Sequence, residues 1–364
     1  MQRIFSIFIG SIVISAIVLY TIHGHYRGMF AVEFLQVGVN CTVKLDEVDP
    51  PFPAILIDAD LLNEIKDDRC TAKKQKISVA VDVNCSESVR QSDNKMYNII
   101  YYEDMLERNY LRLFDTPTRI IPKDDFINHG NFSIPFDIKR FFEYWKRSKL
   151  IGCINMTIER KPMVSYLPVE KTVQAMSALV HLLVTFDIYP FFNGGTLLGW
   201  YRECGIIPHT KDVDFAAFIE EYNPNFLKHL QSGKSNFNLT RILGKVNDSY
   251  ESTLRPVGKS RPAIDLFWMY STENESWVGG SGGSGAKYKY TYPRITDHDI
   301  CAGDLLNNIF WLPCDPQAII TTEYGPKWYK DHPTNNFSWS SSHYNVKKNG
   351  QWRPSEMKHV YKIY

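Results

Sequence analysis

The sequence has no excess of charge of either sign, since its 41 Lys and Arg residues balance 40 Asp and Glu residues. Proteins that bind nucleic acid usually carry a clear basic excess, so this balance argues against a nucleic-acid partner. The sequence has no CxxC pair, no Cys/His zinc pattern, no Walker loop and no local Ser/His/Asp signature, so none of the corresponding sites is predicted. With 44% hydrophobic residues among 364, the chain has the composition of about two globular domains.

One long apolar run covers residues 4–22, nineteen residues without Asp, Glu, Lys or Arg. As a helix it would span about 28 Å, which matches the hydrocarbon thickness of a membrane. A cleaved signal peptide has a shorter apolar region before a small-x-small site, and residues 23–26 fit such a site poorly. We therefore predict a cytosolic tip at 1–3, a transmembrane signal anchor at 4–22 and a stem at 23–50. A cleaved signal or a buried soluble helix is the alternative to the anchor.

Asn-x-Ser/Thr sequons are more frequent than chance allows, with eight among 22 asparagines against an expectation of about three. They lie at Asn40, Asn84, Asn131, Asn155, Asn238, Asn247, Asn274 and Asn336. The excess predicts a glycosylated lumenal body and therefore a single-pass type II protein of the Golgi (or ER) membrane. The alternative is that several of these matches carry no glycan.

Seven cysteines are present, and in an oxidising lumen some of them should pair. We predict a disulfide between Cys301 and Cys314, whose loop is worth about 3 kcal/mol in chain entropy. The odd count leaves at least one thiol free or paired with another molecule. The connectivity of the others stays open.

The lumenal part divides into two regions. Residues 51–165 form an N-terminal α/β region, with a buried strand at 54–57 and a helix start at 61–65. Residues 166–364 form the second region, and its first helix has apolar residues at steps of four, three, four and three. They are Val169, Val173, Met176, Val180 and Leu183. A strand follows at 188–192.

A glycine turn follows that strand. Asn193, Gly194 and Gly195 precede a short helix at 196–203. Glycine lets a phosphate approach the backbone closely, and the start of a helix offers free N–H groups to an anion. Arg202, at the end of this helix, would grip phosphate or, equally, pair with the nearby Glu203.

Three aspartates follow in strand-like sequence. Asp212 and Asp214 would point to one face, about 6.5–7 Å apart, where a divalent cation relieves their repulsion. Asp265 is the single carboxylate in the apolar run 263–270, and metal coordination would remove the cost of burying it. We predict Asp212, Asp214 and Asp265 as catalytic ligands of Mg²⁺ or Mn²⁺. The alternatives are an exposed acidic turn for the pair, and a salt bridge or an edge-strand position for Asp265.

This order of a glycine turn, an acidic pair and a third acid on a later strand resembles the nucleotidyltransferase (polymerase-β-like) fold, which implies an α/β (α+β) domain with a mixed sheet. The run GTLLGWYRECGIIPHTKDVDF resembles the LicD family, and its Lys-Asp-Val-Asp form resembles the fukutin-type members. Many LicD proteins instead carry more acids before the pair. The likeness extends to IPKDDF (121–126), WVGG (277–280), KYKY (287–290), EYGPKW (323–328) and NGQWRPSE (349–356).

The resemblance implies transfer of ribitol 5-phosphate from CDP-ribitol, or of another phospho-alcohol such as phosphocholine, onto a glycoprotein glycan with release of CMP. It implies that Asp212, Asp214 and Asp265 hold the metal, and that Gly194, Gly195 and Thr196 face the phosphates. It also implies that the protein forms a complex with other glycosyltransferases. The competing hypothesis is a catalytically inactive scaffold for such enzymes.

The stretch 279–285 holds five glycines in seven residues. Such a composition is typical of a flexible linker. The sharper alternative is a mobile lid over the donor, in which Lys287 or Lys289 meets phosphate.

Overall fold

A computed structural model describes residues 37–70, 76–92, 94–123, 126–259 and 261–364. The predicted cytosolic tip, the predicted membrane anchor and residues 23–36 of the predicted stem lie outside the described residues. Within the described ranges, no helix has both the length and the apolar character needed to span a bilayer.

The structure is a mixed α/β protein, as predicted. The helices of the described residues are α1 (Val39–Glu47), α2 (Ala59–Lys66), α3 (Ser86–Gln91), α4 (Ile138–Lys146), α5 (Val169–Val184), α6 (Gly194–Glu203), α7 (Pro224–Gln231), α8 (Pro316–Tyr324) and α9 (Met357–Val360). The strands are β1 (Ala54–Leu56), β2 (Ile77–Asp82), β3 (Tyr97–Asp104), β4 (Tyr110–Leu113), β5 (Arg119–Pro122), β6 (Phe126–His129), β7 (Phe132–Pro135), β8 (Phe191–Phe192), β9 (Asp212–Phe218), β10 (Phe237–Lys245), β11 (Asp248–Pro256), β12 (Ala263–Ser271), β13 (Glu275–Ser281), β14 (Ala286–Pro293), β15 (Ile300–Leu305), β16 (Asn308–Pro313), β17 (Val346–Gln351) and β18 (Tyr361–Ile363).

The N-terminal region is built on a seven-stranded mixed sheet in the order β5-β4-β3-β2-β1-β7-β6. Asp58 begins α2 because its carboxylate accepts the N–H of Leu61 at 3.0 Å, which satisfies a free donor of the first turn. The sequence assigned residues 39–47 to the stem, but they form α1. Cys41 and Leu45 of this helix are fully buried in the hydrophobic core of the N-terminal region.

The C-terminal region is built on an eleven-stranded sheet whose main path is β15-β16-β8-β9-β12-β11-β10-β18. Strands β13, β14 and β17 extend it from β12 as an antiparallel ribbon. The predicted helix face is confirmed, since Val173, Met176 and Leu183 of α5 are almost completely buried. The predicted strand at 188–192 is shorter in the structure, because the N–H of Tyr189 bonds to the Glu221 side chain and not to a neighbouring strand.

Three disulfides are present among the described residues. The predicted Cys301–Cys314 bond is present and joins β15 to the end of β16, while Cys41–Cys70 and Cys153–Cys204 are the other two. Cys85 is the free thiol of the described residues. The two regions also pack together, since the ring of Tyr144 on α4 lies 5.5 Å from that of Trp311 on β16.

Candidate functional site

Two parallel strands bring the predicted aspartates together. Strand β9 pairs with β12 in a register that sets Asp214 opposite Asp265 and Asp212 opposite Ala263. Paired residues on neighbouring strands point to the same face, and the strands lie about 4.8 Å apart. Asp212 and Asp214 share that face because they are two residues apart. The sheet therefore gathers three carboxylates on one face, although fifty residues of sequence lie between Asp214 and Asp265.

The glycine turn lies directly against these carboxylates. Gly194 has a positive φ of 51°, and a Cβ atom there would stand 3.1 Å from Oδ2 of Asp214. The N–H of Asp214 donates to the Thr196 hydroxyl at 2.7 Å, and the N–H of Asn193 donates to the Asp214 carbonyl at 3.2 Å. Thr196 is buried and is not among the residues that line the cavity, so it fastens α6 to β9. The first N–H groups of α6 thus lie beside the acidic pair.

Strands β10 and β11 add polar side chains to the same face that the sequence analysis did not identify. Arg241 donates to Glu251 at 2.7 Å and to both Asp265 oxygens at 3.4 Å. The Thr253 hydroxyl donates to Asp265 as well. The salt bridge that the sequence left open for Asp265 is therefore present. The only sequence signal for Arg241, Glu251 and Thr253 is the alternation of side chains along β10 and β11. Alternation does not indicate which neighbouring strand these side chains face.

The cluster formed by Asp212, Asp214, Asp265, Glu251 and Arg241 has more acidic than basic side chains. Burial, followed by repulsion from Asp212 and Asp265, holds the pKa of Asp214 well above its ordinary value. Burial and Asp265 raise the pKa of Glu251 to about 8, against the opposing effect of Arg241. Clustered carboxylates of this kind are the oxygen ligands that Mg²⁺ and Mn²⁺ prefer.

The side chains of the protein supply only part of the ligands that a metal ion needs. Across the residues that the structure describes, no three Asp, Glu, His or Cys side chains form a group arranged to hold a metal ion. Mg²⁺ usually binds through one or two carboxylates and takes its other ligands from water and substrate phosphates. The donor set of Asp212, Asp214 and Asp265 therefore fits a metal that binds together with a diphosphate.

These residues form part of the wall of a cavity of about 920 Å³. Further lining residues come from α8 and the segment after it, including Glu323, Tyr324 and Lys327. The buried carboxylate of Glu323 accepts the Tyr292 hydroxyl at 3.0 Å and lies 3.0 Å from Nδ1 of His343. The cavity is large enough for a nucleotide donor and part of an acceptor, since single-ligand pockets occupy about 300–1,000 Å³.

Two predicted phosphate-binding side chains have other partners. Arg202 lines the cavity, but its guanidinium is buried and donates to Glu203 at 2.9 Å and to the carbonyls of Trp328 and Lys330. The salt bridge with Glu203, which the sequence left open, is thus the observed contact. Arg202 joins the end of α6 to the segment after α8.

Lys287 does not reach the cavity. It pairs with Asp248 and lies 4.3 Å from the centre of the Trp352 ring. The physical reason is the alternation of β14, because Tyr290 and Tyr292 line the cavity while the odd-numbered lysine points to the other face. The glycine-rich stretch is a hairpin of β13 and β14 and not a linker, and residues 280–283 line the cavity.

The predicted glycosylation sites are accessible where they are described. Asn40 lies in α1, and its side chain is outside the described set. The exposed asparagines are Asn84, Asn131, Asn155, Asn238, Asn247, Asn274 and Asn336.

The mixed sheet, the glycine turn at the start of α6 and the carboxylates of β9 and β12 define a nucleotidyltransferase-type domain. Comparison with known families agrees, since residues 188–296 match the LicD/FKTN/FKRP nucleotidyltransferase domain. Residues 40–152 match a second family, described as the W02B3.4-like N-terminal domain. The chain belongs to the LicD family and is of the fukutin type.

The relatives fall into two groups. The uncharacterized proteins W02B3.4 and T07A5.1 of Caenorhabditis elegans are 40% and 37% identical to this chain. Each alignment covers 89% of this chain, with 85% of W02B3.4 and 88% of T07A5.1. Ribitol-5-phosphate transferase FKTN of Mus musculus is 30% identical over 240 residues, which is 64% of this chain and 50% of that protein. The N-terminal and C-terminal regions together are therefore shared with the nematode proteins.

Proposed function

We propose that this protein transfers a phospho-alcohol from a CDP-linked donor onto a glycoprotein glycan and releases CMP. The observation that carries the proposal is the register of β9 and β12, which sets Asp214 beside Asp265 next to the turn at Gly194. The relatives named ribitol-5-phosphate transferase support ribitol 5-phosphate as the group transferred. CDP-ribitol is therefore the donor that we propose first.

The acidic group and the start of α6 would bind opposite sides of the donor diphosphate. A Mg²⁺ or Mn²⁺ ion held by Asp212, Asp214 and Asp265 would neutralise the phosphates and lower the pKa of the attacking hydroxyl. The free N–H groups at Gly194 and Gly195 would donate to phosphate oxygens, and the absence of side chains there leaves room for close approach. Transfer of this kind depends mainly on positioning and on neutralising charge.

The reaction breaks the phosphoanhydride bond of the donor and forms a new phosphate ester bond to the acceptor. The acceptor hydroxyl oxygen bonds to the phosphorus that carries the alcohol, and the bond from that phosphorus to the bridging oxygen of CMP breaks. The hydroxyl proton passes to a carboxylate, for which we propose Asp265. Arg241 and Thr253 hold the oxygens of Asp265 in place, so its orientation does not depend on the substrate.

The direct test measures CMP release by the full chain in detergent, with CDP-ribitol and CDP-choline as donors and with or without Mn²⁺. We expect metal-dependent release from one of them, and a loss of about a thousandfold or more in Asp214→Asn. Asp248→Asn is the matched control, because Asp248 lies outside the cavity lining and pairs with Lys287. Activity that survives in Asp214→Asn would show that the site is elsewhere. No release from either donor by the unchanged protein would favour the scaffold hypothesis.

We also propose that the protein is anchored in the Golgi (or ER) membrane with its body in the lumen. The exposed sequons support this location. Treatment of the full chain from cells with peptide N-glycosidase should increase its mobility on a denaturing gel. An unchanged mobility would contradict a glycosylated lumenal body.

A further inference from the structure

Two aromatic side chains at the edge of the cavity remain open to solvent. Trp339 and Tyr344 both line the cavity, yet Trp339 is 47% exposed and Tyr344 is 68% exposed. Most large aromatic side chains in a folded protein are largely buried. These two therefore lie at the cavity mouth, where each has one side that no other part of the described chain covers.

Both rings are held in place by glycine backbone. A Cβ atom at Gly280 would lie 3.0 Å from Cζ3 of Trp339, and one at Gly325 would lie 2.4 Å from Cζ of Tyr344. The Tyr288 ring also packs against the Trp339 ring in a T-shaped contact, with 5.1 Å between the ring centroids. The backbone of Trp339 and that of Tyr344 are also held by hydrogen bonds.

The Tyr290 hydroxyl donates to the Trp339 carbonyl, and the N–H of Tyr344 donates to the Glu323 carbonyl at 2.8 Å. Rings fixed in this way offer contact area at a small cost in conformational entropy.

The position at the mouth decides which substrate meets these rings. A nucleotide donor is small enough to be enclosed in a cavity of 920 Å³. A glycan acceptor stays attached to its protein, so its chain must leave through the mouth. The C–H faces of a sugar ring are apolar and carry slight positive charge, which suits the negative face of an aromatic ring.

We propose that Trp339 and Tyr344 form an acceptor subsite that contacts a sugar ring of the glycan next to the reacting hydroxyl. This proposal rests on the proposed function, because it assumes that the acceptor is a glycan. Trp339 has the larger face and provides most of the contact. The donor does not touch either ring.

The kinetic test compares Trp339→Ala with Trp339→Phe in the full chain. Trp339→Ala should raise the KM for the acceptor about tenfold or more, a size typical of an aromatic anchor. The KM for the donor and the release of CMP without acceptor should stay unchanged, and Trp339→Phe should keep most of the acceptor affinity. An equal rise in the KM for the donor, or no change in either constant, would overturn the proposal.

The glycine contacts supply a matched pair of variants. In Gly280→Ala the new methyl group would meet Trp339 at 3.0 Å, whereas in Gly152→Ala, outside the cavity lining, it would meet nothing within 4 Å. Gly280→Ala should therefore displace the Trp339 ring and weaken acceptor binding, while Gly152→Ala should not. Equal effects of the two variants would contradict the role of the ring position.

Binding to an array of immobilised oligosaccharides tests the subsite without catalysis. The full chain should bind some of them, and Trp339→Ala should bind none. If the protein releases no CMP but shows this pattern, the proposed function fails and the subsite stands. Unchanged binding by Trp339→Ala, or no binding by the unchanged protein, would remove the subsite and leave the proposed function intact.

Discussion

Replacing Asp214 with Asn should stabilise the metal-free protein even though it destroys the proposed activity. Asp214 lies on the same face of the strand as Asp212, about 7 Å away. The repulsion between two charged carboxylates at this distance costs about 2 kcal/mol at an effective dielectric constant of 20. Asp265, opposite Asp214 on the neighbouring strand, adds to this repulsion. The destabilisation caused by the Asp214 charge cannot exceed the cost of protonating that carboxylate. For an ordinary aspartate at pH 7 this cost is about 4 kcal/mol. The free energy of unfolding should therefore rise by about 2–4 kcal/mol.

The assay is denaturant unfolding of the full chain, followed by tryptophan fluorescence with EDTA and again with Mn²⁺. Metal at ten times its dissociation constant should stabilise the unchanged protein by about 1.4 kcal/mol, and this gain should disappear in Asp214→Asn. Asp248→Asn loses a partly exposed ion pair with Lys287 and should cost at most about 1 kcal/mol. The reasoning is refuted if Asp214→Asn is less stable in EDTA, or if it keeps the full response to metal.

Four other variants test separate parts of the structure. Gly194→Ala puts a side chain at φ 51° against the acidic pair, so we expect a cost of about 1–2 kcal/mol and a loss of activity. Gly233→Ala, at φ 70° with open space around it, should lose stability but keep activity. Cys153→Ser breaks the bond to Cys204 across 51 residues and should cost about 4 kcal/mol by denaturant unfolding. Burial raises the pKa of Glu221 to about 7, so its contribution to stability falls by about 3 kcal/mol as pH rises from 4.5 to 7. Glu221→Gln should flatten that part of the profile of stability against pH.

The glycine turn and the acidic strand were predictable because their signals are local. Gly194 and Gly195 follow an apolar strand, and period-two alternation sets Asp212 and Asp214 on one face. The structure has α6 close to the predicted bounds, and Asp212 and Asp214 lie on a strand, β9, as predicted. A metal at this site stays a prediction, since the sequence and the geometry supply the carboxylates only.

The side of β14 that faces the cavity was not predictable from sequence. Alternation separates Lys287 from Tyr290, but it does not say which of the two faces lies inward. The glycines before them resemble a linker in composition, and only the pairing of β13 with β14 makes them a hairpin. Lys287 was therefore assigned to the phosphates when it belongs with Asp248.

The sequence by itself determined the local elements of this protein: the turn at Gly194, the acidic pair and the apolar strand that contains Asp265. Each depends on neighbours within a few residues, and short-range periodicity records it. The tertiary structure decided which strands are adjacent, and so brought Asp265 to Asp214 and Arg241 to Asp265. It also placed Trp339 at the cavity mouth. Pairing between distant strands is set by the packing of the whole sheet, which no short stretch of sequence records.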